Sequence, residues 1–293
     1  MAKKKLRITA FDVVNLTLLT LLMLAFLWPL VITFSTAFSN NLQLGGQTIY
    51  LLPKGFTVDT VLYVLRNPII WHYYGNTILY AVVGCAIMLT VTSLAAYPLS
   101  VPGFRGKKLI TILYTITMFF GGGLIPSYLN IRALGMMNTI WAMVIPGAVG
   151  AYNVFVFKTF FLGIPSSLSE SAFLDGAGHG KVLLHIVLPL SKALLATFAL
   201  FHVVGVWNNY LTSTIYMSGE RQTIQAFLRN ILLNGDVRTQ LDDPAKLAEL
   251  QQTVSSRTIR AATVVVTITP ILCVYPFVQK YFAQGVLVGS IKA

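Results

Sequence analysis

Six stretches of this chain run for about the thickness of a membrane with few or no charges, and nothing else in the sequence restricts its folding as much. They lie at about 12–34, 76–100, 109–130, 139–157, 193–217 and 261–283. A bilayer core of roughly 30 Å needs about 20 apolar residues per spanning helix. The second stretch is the cleanest, since 67–104 holds no charged residue; the last is interrupted by Pro270, Pro276, Gln279 and Lys280. Lipid-facing barrel strands would alternate apolar and polar residues over about ten positions. These runs are apolar throughout, so they predict helices. The composition agrees, with 56% hydrophobic and 10% charged residues, against about 25% charged in a globular domain. The fold class expected is an all-α integral membrane protein with six transmembrane helices.

An even number of spans leaves both termini on one side, and the basic residues choose it. Lys3, Lys4, Lys5 and Arg7 precede the first span, and Arg105, Lys107 and Lys108 fill the second connection. Lys158, Lys181 and Lys192 flank the loop between spans four and five, and Lys280 and Lys292 lie at the end. Basic residues in short loops stay inside. This places both termini in the cytoplasm: 1–11 at the start, 284–293 as the tail, and the loop 164–189 with them. The outer loops are then 35–74 and 218–260. The lysine-rich start resembles a secretory signal, but its apolar run exceeds the 7–15 residues of such a signal, so a retained span is expected. Cys85 and Cys273 read as small buried hydrophobes, and the four histidines show no metal-ligand spacing. Nucleic acid is not an expected partner, since no basic helix or aromatic platform accompanies the positive charge.

The loop 164–189 is polar, glycine-punctuated and bounded by membrane-length runs. Ser167 followed by Glu170 predicts a capping box opening a short helix, which the glycines at 176, 178 and 180 end. A second short helix is expected from Lys181 to Leu188, with Pro189 opening the next span. Two helices at a glycine elbow make a compact protrusion that a partner can grip. Gly176-Ala-Gly-His-Gly-Lys181 imitates a phosphate loop, but that motif needs glycine five residues before Gly180 and Ser or Thr after the lysine. Asp175 and Val182 stand there, so the chain holds no nucleotide site of its own.

Elsewhere, 222–233 place Ile224, Phe227, Leu228 and Ile231 on one face of an amphipathic helix, read either as a lid on the bundle or as a docking surface. Asp242-Asp243-Pro244 reads as a helix start. Gly121-Gly122-Gly123 with Pro126 marks a bend or a close helix contact in the third span.

The loop residues carry a family resemblance. Glu170, Ala172, Gly176, Ile186, Leu188 and Pro189 fall on the Glu-Ala-Ala, three residues, Gly, nine residues, Ile-x-Leu-Pro motif of membrane subunits in binding-protein-dependent ABC importers. Ser171 replaces the middle alanine, a small-for-small change. The chain also resembles the carbohydrate-importing, maltose-type group in Trp207-Asn208-Asn209-Tyr210 and in Tyr281-Phe282 through Gly285 to Gly289-Ser290-Ile291-Lys292. Within that group it is most similar to the subgroup importing complex or acidic oligosaccharides. The resemblance implies a type I ABC importer permease fold in a bacterial plasma membrane. It makes 164–189 the element that couples the chain to a cytoplasmic ATPase through Glu170, Ala172, Asp175, Gly176, Ile186, Leu188 and Pro189. Gly289, Ser290 and Lys292 of the tail would reach the same ATPase. The implied partners are a second homologous permease, two ATPase copies and an extracytoplasmic sugar-binding protein. No cofactor is bound by this chain, ATP and Mg belong to the ATPase, and the chain itself is not an enzyme.

Polar residues at membrane depth are costly and face the bundle interior. Asn153, Asn208 and Asn209, with the aromatic Trp207 and Tyr210, are the expected substrate path, because sugar rings stack on aromatic faces and hydroxyls pair with amides. Interhelical hydrogen bonding is the competing reading of the asparagines, and packing is that of His202. The outer segments carry nine basic and six acidic residues, a surplus that leans toward an acidic oligosaccharide. A permease for a non-sugar solute is the alternative. A secondary transporter or a membrane-embedded enzyme would need carboxylates or histidine clusters inside the spans.

Overall fold

The computed structural model describes residues 9–44, 51–234 and 255–290, the last from 274 onward as backbone alone. The predicted start at Asp242-Asp243-Pro244 and Lys292 of the tail lie outside those residues. The chain divides into two compact units, Met1–Pro68 with Asn230–Thr269, and Ile69–Arg229 with Pro270–Ala293.

In the first unit the helix Ala10–Ala37 opens on a capping box between Thr9 and Asp12. From Ala10 to Leu30 every side chain is exposed, although the helix is apolar all round. A helix of that kind needs lipid as its solvent. Hydroxyls along its exposed length are satisfied within the helix: Thr17 donates to the carbonyl of Val13 and Thr33 to that of Pro29, both at 2.8 Å. After it, Phe38 and Phe56 stack at 5.8 Å, and Asn40 donates its backbone N–H to the carbonyl of Lys54 at 2.9 Å. The helix Asp59–Arg66 follows. The helix Ser256–Ser290 starts in this unit. Ile259, Ala262 and Thr263 on it are buried, and Thr263 and Thr267 donate back to the carbonyls of Ile259 and Thr263. Pro270 and Pro276 do not end this helix, which also covers 284–290 of the expected tail. Cys273 is exposed and Cys85 half-buried, so burial is not what the two cysteines share.

The second unit is built on the helix Pro68–Ser100, which begins eight residues before the expected 76. The third stretch is two helices, Lys107–Phe119 and Leu124–Ala133, bent by 115° at the triple glycine. Gly123 takes φ +83, a left-handed value natural to glycine, so the predicted bend is real. The fourth stretch is also divided, into Ile140–Val144 and Ala151–Leu162, with Pro146 and Gly147 between. The fifth runs Lys192–Asn208 and then Leu211–Tyr216. Among the described residues, three helices are long and apolar enough to cross a membrane, or five when each bent pair is one span; the fourth stretch, 139–157, is present only as two shorter helices.

Phe157 lies at the centre of the core, fully buried, with edge-on contacts to Phe161 at 6.0 Å and Phe198 at 5.0 Å. Aromatic pairs favour this edge-to-face geometry. Tyr114 and Phe155 join Lys107–Phe119 to Ala151–Leu162 at 6.4 Å. Where Pro68–Ser100 meets Lys192–Asn208, Gly84 makes room for a ring: a Cβ there would stand 2.7 Å from Nε2 of His202. His202 is thus a packing residue between two helices.

At the start of Pro68–Ser100 the structure confirms the lid. Ile224, Phe227, Leu228 and Ile231 are buried, and Phe227 stacks on Tyr73 at 4.5 Å. Thr77 Oγ1 accepts from the backbone N–H of Ile224 at 2.9 Å, and Tyr80 donates to the carbonyl of Arg221 at 2.8 Å. The apolar face of this helix is spent inside the chain.

Candidate functional site: a lever helix and its anchor

The helix Ser166–Leu174 forms where the sequence places it, with a different start. Pro165 is the N-cap residue, and no side chain caps the helix. Ser167 already lies inside the first turn, so its hydroxyl cannot reach back over the helix end and the predicted capping box does not form. Ser167 instead offers its carbonyl to the hydroxyl of Ser171 at 2.9 Å.

The other end explains why Ala172 and Gly176 are four apart. Gly176 has φ +77, its N–H donates to the carbonyl of Phe173 at 3.0 Å, and the N–H of Ala177 donates to that of Ala172 at 2.9 Å. These two bonds are the Schellman stop, in which the residue past the helix takes a left-handed conformation. Ala172 and Ala177 pack together onto the core formed by Tyr97, Val182, Leu183 and Val187, giving the apolar contact that accompanies the stop.

The chain then turns into His179–Leu190, which is α-helical apart from a wider π turn at Leu183–Val187. Pro189 has no N–H to donate to the carbonyl of His185, and its ring crowds that carbonyl. Widening by one residue relieves both, and the N–H of Leu188 reaches Leu183 instead. Proline therefore does not open the next span. The break falls at Ser191, fully buried, whose hydroxyl donates to the carbonyl of Val187 at 2.7 Å. There the path bends by 79° into Lys192–Asn208.

The seven coupling candidates consequently divide. Ala172, Ile186 and Leu188 pack onto the core. Gly176 sets the turn. Glu170, Asp175 and Pro189 are exposed, and among the described residues neither carboxylate has an ion-pair partner. Residues four apart share a helix face, so Glu170 stands beside Leu174, which is 90% exposed. Leu174 escaped the sequence reading because an apolar residue in an apolar chain carries no signal; its exposure singles it out.

The residues expected on the substrate path are scattered in role. Trp207 is buried against Tyr74 at 5.9 Å, a packing position. Asn209 accepts from the backbone N–H of Thr212 at 3.0 Å and donates to its hydroxyl at 2.8 Å, which holds the next helix start. Asn208 and Tyr210 are exposed and Asn153 half-buried. The Tyr210 ring carries the Arg229 guanidinium 5.3 Å from its centroid. A hub that sequence reasoning missed is Asn138, in the left-handed region at φ 59. Its side chain accepts from the N–H of Ser218 at 3.2 Å, its N–H donates to the carbonyl of Tyr216 at 2.9 Å, and its carbonyl accepts from Arg221.

Broken apolar helices, with a short polar helix packed on their core, define a multi-pass membrane component. The chain belongs to the family of binding-protein-dependent transport system inner membrane components, whose profile matches residues 86–288. It is similar to the protein LplC of Bacillus subtilis (strain 168), with 35% identity over 96% of this chain and 95% of that one. It is also similar to the polygalacturonan/rhamnogalacturonan transport system permease protein YtcP of the same organism, with 34% identity over 96% and 98%. A solved chain of a bacterial ABC transporter involved in the import of the acidic polysaccharide alginate superposes with a TM-score of 0.84. That chain is 31% identical, with 93% of this chain and 96% of that chain covered.

Proposed function

We propose that this chain is the membrane subunit through which an ATP-driven importer passes an oligosaccharide, and that Ser166–Leu174 is the helix on which a separate ATPase pulls. The observation that carries the reading is the lever itself. Its outer face offers Glu170 and a 90%-exposed Leu174, while its inner face and both ends are tied to the core. A helix held that way passes on a push as rigid-body motion.

The chain does no chemistry in this reading. Gly178 and Lys181 sit at a helix start that follows another helix, with no strand before it, unlike a phosphate loop. ATP and Mg are held by two copies of the ATPase, with Gly289, Ser290 and Lys292 of the tail near them. A second homologous permease completes the pore, and an extracytoplasmic binding protein delivers the sugar to the outer loops. Carbohydrate is supported by the names of the relatives, and an acidic oligosaccharide by the alginate importer and by the surplus of outer basic residues. Asn208 and Tyr210, with Asn153, are the path candidates that keep accessible side chains.

The test is reconstitution with the partner subunits and a panel of labelled neutral and acidic oligosaccharides. Leu174→Asp and Glu170→Ala are expected to weaken ATPase co-purification and abolish uptake while the permease still folds. Undiminished ATPase binding in Leu174→Asp would refute the lever.

A further inference from the structure

The lever turn makes one side-chain hydrogen bond to another helix among the described residues, and it runs through a residue outside the family motif. Nδ1 of His179 lies 3.1 Å from the hydroxyl of Tyr97. The bond forms with either ring tautomer, the phenol donating to a bare nitrogen or accepting from Nδ1–H. The imidazole also meets the Tyr97 ring edge-on at 6.0 Å and the Phe173 ring edge-on at 4.9 Å. Phe173 is on the lever; Tyr97 is buried near the end of Pro68–Ser100, in the same core as Val182 and Val187. His179 is thus clasped between the lever and the longest helix of its unit.

We propose that His179 is the positioning residue that locks the lever to Pro68–Ser100, so that motion of the lever is delivered to that helix. The inference rests on the lever reading given above. Its physical basis is the connection Gly176-Ala177-Gly178. Two glycines flank one small residue there, and glycine populates more of backbone space than any other residue. The backbone bonds of the stop fix Gly176 and Ala177, and the clasp limits the rotation that Gly178 still allows under a push on Leu174. The imidazole supplies two restraints at once: ring contact on Phe173, which holds the lever's angle, and a directional hydrogen bond on Tyr97, which holds its register. Tyr97 lies three residues from Ser100, so the restraint acts on the end of a helix whose other end carries the Tyr73, Thr77 and Tyr80 contacts to the 221–227 segment. A single rigid helix joins the lever to that segment.

The experiment uses the complete reconstituted importer and reads sugar uptake per ATP hydrolysed. Tyr97→Phe removes the hydroxyl alone, and His179→Phe keeps the ring contacts without the nitrogen. Each is expected to retain ATPase co-purification and hydrolysis while uptake per ATP falls about fivefold, the worth of one hydrogen bond. The double variant is expected to be no worse than either, as for two ends of one interaction. His185→Phe, whose ring bonds locally to the carbonyl of Lys181, should leave the ratio unchanged. An unchanged ratio in Tyr97→Phe and His179→Phe, losses that merely follow the amount of assembled complex, or additive losses would each overturn the proposal. Leu174→Asp is measured in parallel. If it loses the ATPase, the lever reading stands whatever the clasp variants do; if it keeps the ATPase, that reading falls and the clasp with it.

Discussion

Gly176 allows the lever to be tested by graded substitution. Its φ of +77 lies in the left-handed region, where a non-glycine residue pays about 1–2 kcal/mol. A Cβ at that position would meet nothing within 4 Å, so no steric contact adds to the backbone cost. Gly176→Ala should therefore lower the population of the capped turn by roughly 5–30-fold. Gly176→Asn should lose less, since asparagine is the other residue found at this helix stop. Gly176→Pro should lose most. It removes the N–H that donates to Phe173 at 3.0 Å and fixes φ near −65°, which the turn cannot accept. The assay is uptake per ATP in proteoliposomes, with amide exchange at Ala177 as the direct report on its bond to Ala172. The order glycine, asparagine, alanine, proline is expected in both. Equal activity of the alanine and asparagine variants, or a proline variant indistinguishable from the parent, would refute the argument that a left-handed stop holds the lever.

Gly84→Ala would drive a methyl to within 2.7 Å of Nε2 of His202, and overpacking of this kind costs about 1–3 kcal/mol. Thermal unfolding of the purified complex should fall, and His202→Ala in the same chain should recover part of the loss. Asn138→Ala should cost about 1–2 kcal/mol through its left-handed backbone and expose 217–223 to protease, whereas Asn138→Gly should keep the turn and lose only the side-chain bond to Ser218. Asn209→Ala should remove a helix-start hydrogen bond worth about 1 kcal/mol without changing the KM for uptake, while Asn208→Ala should raise that KM.

Much of the fold was legible because a bilayer makes uniform demands. The apolar continuity of 76–100 or 12–34 predicts a helix regardless of neighbours, and both appear, extended to Pro68–Ser100 and Ala10–Ala37. The amphipathic face of Ile224, Phe227, Leu228 and Ile231 was equally legible, since period and burial are two views of one constraint. Local capping was less so. Ser167 and Glu170 have the spacing of a capping box, but the helix begins at Ser166, two residues too early for the hydroxyl to serve. Pro189 read as the start of a span, yet the bend falls two residues later, where the buried Ser191 accommodates it.

From the sequence alone came the long apolar helices, the motif and the bend at Gly121-Gly122-Gly123, because these follow from composition and from glycine chemistry acting over a few residues. The tertiary structure decided which face of each element is used. It turned Ala172, Ile186 and Leu188 inward, left Leu174 bare, buried Trp207, and brought His179 to Tyr97 across 82 residues of chain. Spacing along a chain fixes which residues share a face; the packing of other helices against that face decides whether it is core, hinge or handle.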